Sequence, residues 1–200
     1  EVEQNSSRSL FDGLKIASTA TVSEQGQYPV IFISLKEVDG PTYEIIENKL
    51  GSVMAKIYSE YKYILSSIEE DGKYHKFKRI LDSTASYEDL TESIEFLSAL
   101  IKSYHKKLPY ILIDEYDVPL NNSYGTDYYD SVLSLIKAFF RAGIKDNNNL
   151  EKAVITGVFK IAKSGLWTGV NNSSDYSILA EKYATYFGFT EAEVEVLLSE

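Results

Sequence analysis

Three short apolar runs, residues 29–35, 110–113 and 153–156, alternate with long stretches of helical periodicity, and this order constrains the fold most. Pro29-Val-Ile-Phe-Ile-Ser-Leu35 is nearly continuous in apolar and β-branched residues, the pattern of a buried strand. After Asp39-Gly40-Pro41, apolar residues recur at Ile46, Leu50, Val53, Ile57, Tyr61, Ile64 and Ile68. That spacing predicts one long amphipathic helix ending near Asp71-Gly72. A short helix is expected over 74–81. Ser86 stands three residues before Asp89, a capping box for a second amphipathic helix through Leu90, Ile94, Leu97, Ile101 and Tyr104. Lys106-Lys107-Leu108-Pro109 stops it before the strand Tyr110–Ile113. Pro119 argues against that strand continuing as a central one. A third helix is expected over 127–142, then a loop at Asn147-Asn148-Asn149 and the strand Ala153–Thr156. Two short helices close the chain, the last starting at Thr190 with Glu193 completing its capping box. Strands alternating with helices predict an α/β domain with a largely parallel sheet. Three strands are few for such a sheet, whose central strands need neighbours.

Composition removes several functions. The chain has 200 residues, 44% hydrophobic and 25% charged, which is globular. It has no cysteine, so disulfides, thiolate catalysis and Cys-based zinc sites are excluded. Its two histidines, His75 and His105, stand beside lysines in polar contexts and read as surface residues. No apolar run reaches the roughly 20 residues of a bilayer helix. No signal-peptide pattern opens the chain, so a cytoplasmic location and no membrane partner are expected. The net charge of −10 argues against the whole surface being a nucleic-acid footprint. The charge is uneven, however. Residues 141–163 hold five basic and two acidic residues, while 175–200 hold one basic and six acidic.

The stretch Tyr110-Ile-Leu-Ile-Asp114-Glu115 carries the most chemistry. Four apolar residues followed by Asp-Glu match the Walker B form of P-loop NTPases. Ligands of an open parallel sheet sit beyond the carboxyl ends of its strands. An acid leaving such a strand can hold Mg²⁺, and the next carboxylate can orient or deprotonate an attacking water.

Ile113-Asp-Glu-Tyr-Asp-Val-Pro-Leu120 resembles the signature of the bacterial AAA-ATPase-like family, as do four further blocks. These are Leu10–Ile16, Leu150–Lys163, Thr168-Gly-Val-Asn-Asn172 and Tyr186–Glu191. The resemblance implies a P-loop ATPase domain, often followed by a PD-(D/E)XK nuclease-like domain. It implies ATP and Mg²⁺ as cofactors, with nucleic acid reached through the linked domain and a homo-oligomer as further partners. It implies Asp114 as the magnesium residue, Glu115 as the catalytic glutamate and Thr156 as the sensor residue. Lys160 and Lys163 are candidates for phosphate contact, and Arg141 for a finger acting in trans.

One departure stands out. No G-x-x-x-x-G-K-[ST] occurs anywhere, so the phosphate cradle and its lysine are absent from this sequence. The chain opens on Glu1, and the resemblance places the first strand and the P-loop before it. The expectation is therefore an α/β, P-loop NTPase-type (ASCE/AAA-like) parallel sheet flanked by helices, missing its first strand and P-loop. It forms one partial domain over 1–200, with an α/β core at 28–174 and a helical segment at 175–200. An isolated chain of this kind is expected to be inactive. The competing expectation is a non-catalytic module that binds protein or nucleic acid on a degenerate ATPase fold.

Asp39 with Glu47-Asn48-Lys49, and also Glu60-Tyr61-Lys62, has the letters of a nuclease-like pattern, but both tripeptides fall in the strongest helical period and lose the strand geometry that chemistry needs. Asn121, Asn171 and Asn172 begin sequons that read as turns. Asp117 is expected to fix a turn, and Trp167 to anchor a core or interface.

Overall fold

The computed structural model describes residues 8–158, 174, 176, 180, 182–183 and 188–199. The chain divides into two compact units, Glu1–Leu166 and Trp167–Glu200.

In the first unit, β1 (Val30–Ser34), β2 (Tyr110–Asp114) and β3 (Lys152–Ile155) form a parallel sheet in the order β1-β2-β3. Phe32 pairs with Leu112, and Leu112 with Val154. All three strands fall within one residue or so of the apolar runs that announce them. Ile31, Ile33, Ile111 and Ile113 are buried on one face. There α1 (Tyr43–Glu60) packs on β1, and α6 (Tyr129–Phe140) packs on α1. The opposite face is open: Val30, Phe32 and Val154 are 43, 56 and 47% exposed. The sheet is thus α/β and parallel as expected, but among the described residues its apolar covering lies on one side.

The predicted long helix ends early. α1 stops at Glu60, a 3-10 turn runs over Lys62–Ser67, and α2 (Asp71–Leu81) starts separately. The Tyr61 hydroxyl donates to the Val30 carbonyl at 2.6 Å, which draws the chain in beneath the start of β1. The second predicted helix is also interrupted, into α3 (Tyr87–Thr91) and α4 (Ser93–His105). At the break the buried Tyr58 hydroxyl donates to the Ser93 carbonyl at 2.7 Å. α5 (Val118–Ser123) forms where Pro119 suggested only a stop, because proline fits a first helical turn. Asn121 and Asn122 therefore lie in a helix and not in a turn. Arg141–Lys145 continues α6 as a π-helical turn, with Gly143 against Ile94 of α4. Asn147, in the polar loop, is buried and donates to the Gly143 carbonyl and the Ser98 hydroxyl at 2.9 and 3.2 Å.

The Ser86/Asp89 capping box is present in full. Asp89 is also held by Arg79, whose Nε and Nη2 donate to its two oxygens at 2.6 and 2.9 Å. The Arg79 guanidinium and the Ser86 N–H hold the Asp89 carboxyl below the usual carboxylate range. A depressed acid contributes stability above its unfolded value, about 3.9, that is lost as pH falls through the folded value. Asp89→Asn is therefore expected to destabilise by about 2 kcal/mol at pH 7. That difference should shrink in chemical denaturation below about pH 4. A difference independent of pH would count against the ion pair.

In the second unit, α7 (Glu191–Ser199) starts at the predicted capping box, with Thr190 N–H donating to Glu193 Oε2 at 2.8 Å. The Lys182 ammonium lies over the rings of Tyr176 and Tyr183, at 5.3 and 5.2 Å.

Candidate functional site

The carboxyl ends of β2 and β3 bring Asp114 and Thr156 together. Parallel pairing of β2 with β3 sets the residues just past each strand end side by side. Thr156 N–H donates to the Ile113 carbonyl at 2.8 Å, extending the ladder by one bond. Its hydroxyl donates to Asp114 Oδ1 at 2.5 Å. Glu115 N–H donates to the same oxygen at 3.0 Å. Oδ1 is thereby fixed by two donors, while Oδ2 has no hydrogen-bond partner among the described residues. On the other side, Leu35 N–H donates to the Asp114 carbonyl at 3.0 Å.

Glu115 follows with φ +54°, the left-handed region that non-glycine residues seldom occupy. This turns the chain sharply out of the strand, and the Val118 N–H closes on the Glu115 carbonyl at 3.2 Å. Glu115 is half-buried beside Asp114. Such backbone conformations concentrate at functional sites.

Asp117 does more than hold a local turn. It is 2% exposed, its Oδ2 accepts from the Asn121 side chain at 2.8 Å, and its Oδ1 accepts from Val158 N–H at 3.3 Å. It thus ties the exit of β2 to the exit of β3. Gly157 is required at this junction: a Cβ there would lie 2.5 Å from Asp117 Oδ1 and 2.6 Å from the Tyr116 ring. Sequence reading missed this tie, because the partners are 41 residues apart. The Asp117/Gly157 pairing becomes legible only once β2 and β3 are known to be adjacent.

The loop after β1 closes the same end of the sheet. Lys49 donates to Asp39 Oδ1 at 2.7 Å, and Tyr128 donates to the Gly40 carbonyl at 3.0 Å. The Lys49 ammonium holds the Asp39 carboxyl below its ordinary value. Asp39 and Lys49, two letters of the nuclease-like pattern, are consumed by this ion pair, and Glu47 accepts from Tyr43 at 3.0 Å. No cluster of three metal-ligating side chains occurs among the described residues.

Lys160, Lys163 and Trp167, with Asn171 and Asn172, lie outside the described residues. Arg141 is paired with Asp146 at 2.9 Å, at the end of α6 that leads to the start of β3. That places it at the opposite end of the sheet from Asp114. His75 pairs with Asp71 at 3.3 Å on an exposed helix face. No helix among the described residues is long and apolar enough to cross a membrane.

The residues fit a magnesium ion better than they fit a nucleotide. Mg²⁺ keeps most of its waters and takes one or two carboxylates besides phosphate oxygens, and Asp114 Oδ2 offers one such ligand. A backbone cradle for phosphates is not found among the described residues.

No solved structure matches the chain. A curated protein of Azotobacter chroococcum mcd 1, described as an uncharacterized protein in the vnfD 5′ region, is 30% identical over 91 residues. That match spans 44% of this chain and 17% of the length of that protein. The AAA-ATPase-like family, described as "Predicted AAA-ATPase", matches residues 1–167. With its parallel sheet and Asp-Glu at the end of β2, the chain belongs to the AAA-ATPase-like family.

Proposed function

We propose that this chain supplies the metal-binding and water-activating half of a Mg²⁺-dependent ATP hydrolase. The observation that carries the reading is the Asp114–Thr156 pair at the carboxyl end of two adjacent parallel strands. In this reading Asp114 presents Oδ2 to Mg²⁺ or one of its waters. Glu115 accepts the proton of the attacking water, and Thr156, as the sensor residue, donates to Asp114 and leaves its hydroxyl oxygen to accept from that water. Lys160 and Lys163 are candidate phosphate contacts just beyond Thr156. Bound Mg²⁺ would neutralise the charge that develops on the phosphates.

The phosphate loop comes from sequence outside this chain. Two features support that placement. Among the described residues β3 is an edge of the sheet, and the face bearing Val30, Phe32 and Val154 has apolar side chains facing solvent. A strand added beside β3, followed by a loop and a helix over the open face, would satisfy both. The same reading makes ATP binding by the isolated chain weak.

The test is phosphate release from ATP by the protein that carries this chain together with its loop. Release that requires Mg²⁺ and stops with a chelator is expected. No hydrolysis under any divalent cation would leave the degenerate binding module as the better reading.

A further inference from the structure

The end of the sheet opposite Asp114 has a different chemistry. Between Glu95 and Asp114 the sequence has no acid and carries Lys102, Lys106 and Lys107, in a chain whose net charge is −10. The fold adds Lys62, in the 3-10 turn after α1, and Lys152, at the start of β3. Among the described residues none of these five lysines has a carboxylate within ion-pair distance. The cations of α2 contrast with them: Lys73, Lys76, Lys78 and Arg79 are each paired, with Glu70, Glu92, Asp82 and Asp89.

Aromatic rings lie between these lysines. Tyr63 packs edge-on against Tyr104 at 5.4 Å and His105 at 5.8 Å, and shares a 2.7 Å hydrogen bond with His105 Nε2. Tyr63 and Tyr104 remain 40 and 45% exposed. Tyr61 lies 6.1 Å from Tyr63 and bonds Val30 at the start of β1. Two residues before Val30, Tyr28 packs on Tyr110 at 5.0 Å, and the Lys107 ammonium sits 5.5 Å from its ring centre. The rings are thus continuous with the amino-terminal ends of β1 and β2.

We propose that this end of the sheet, with Tyr63 and Tyr104 as stacking surfaces and Lys62, Lys106 and Lys107 as phosphate contacts, binds single-stranded nucleic acid. Cations without carboxylate partners, interleaved with exposed aromatic rings, are what a single strand requires, since bases stack and the backbone is neutralised. A patch serving phosphate alone has no use for the rings. The surface lies at the far end of β2 from Asp114, about 13 Å of strand away. It therefore does not compete with a nucleotide at the carboxyl end. The proposal does not depend on ATP hydrolysis.

The test is fluorescence anisotropy of a labelled 20-nucleotide oligothymidylate with the protein. Saturable binding is expected, weakening with salt at a slope of about −2, as three phosphate contacts would give. Tyr104→Ala should weaken it about tenfold and Tyr104→Phe should restore it. Lys106→Glu with Lys107→Glu should weaken it by more than tenfold, with a thermal melt confirming the fold. Four outcomes would overturn the proposal. They are no saturable binding, binding indifferent to Tyr104, equal competition by inorganic polyphosphate per phosphate, or phosphatidylserine vesicles bound through the same lysines while oligothymidylate is not.

Discussion

Glu115→Gln, in the protein that carries the phosphate loop, is expected to lower ATP turnover by about 10²–10⁴ while ATP binding survives, the range seen when a general base is removed. Glutamine keeps the shape and the hydrogen-bonding reach of glutamate but cannot take a proton. The phosphates are held elsewhere, so affinity does not depend on Glu115. The backbone makes the prediction sharper. At φ +54° the position favours glycine. Glu115→Gly should therefore fold at least as well as the natural chain and still lose turnover. A residue that costs stability where it stands, and whose removal costs activity, is retained for chemistry. Turnover of Glu115→Gln within twofold of the natural protein, measured by phosphate release at saturating ATP, would remove this residue from the mechanism.

Gly157→Ala is expected to damage the same corner by sterics. The added methyl would meet the Asp117 carboxylate and the Tyr116 ring, both in buried side chains. The carboxylate cannot swing away without breaking the tie from Asp117 to Val158 N–H. Overpacking of this kind costs about 2 kcal/mol, a fall in Tm of about 4–8 °C for a domain of this size. Because Thr156 is the neighbouring residue, its bond to Asp114 should shift, and turnover should fall about tenfold or more even at temperatures where the variant is folded. Gly51→Ala is the control. Gly51 lies inside α1 with nothing within 4 Å of an added Cβ, and alanine there should raise stability by about 0.5–1 kcal/mol. Equal melting of the natural protein and Gly157→Ala would show that the junction is looser than its distances.

The strands, and the residues at which they end, were legible because both signals are local. A buried parallel strand is a short apolar run, and Asp114-Glu115 marks where one ends. The neighbourhood of Asp114 and Thr156 followed once their strands were taken as adjacent and parallel. Helix boundaries were less legible. Ile64 continues the apolar spacing of α1 and is buried as the pattern requires, yet it sits in a 3-10 turn because the Tyr61 hydroxyl is recruited by Val30. Periodicity reports which face is buried and not whether the helix bends to bury it. Asn147 shows the converse. A run of three asparagines reads as a solvated loop, but the first fills a buried gap between α4 and the π-helical turn by satisfying Ser98 and Gly143. The open face of the sheet has a different origin. Phe32 and Val154 have the composition of doubly covered strands, and a covering element is missing among the described residues rather than misread.

The most direct measurement is the Mg²⁺ dependence of phosphate release from ATP, comparing the natural full-length protein with Asp114→Asn. Asparagine keeps an acceptor for the Thr156 hydroxyl, so the strand ends stay together, but it loses the charge that holds the metal. The account predicts Mg²⁺-dependent release by the natural protein and a loss of at least about 100-fold in Asp114→Asn that added Mg²⁺ does not restore. Release by Asp114→Asn at the natural rate and the natural Mg²⁺ requirement would contradict it.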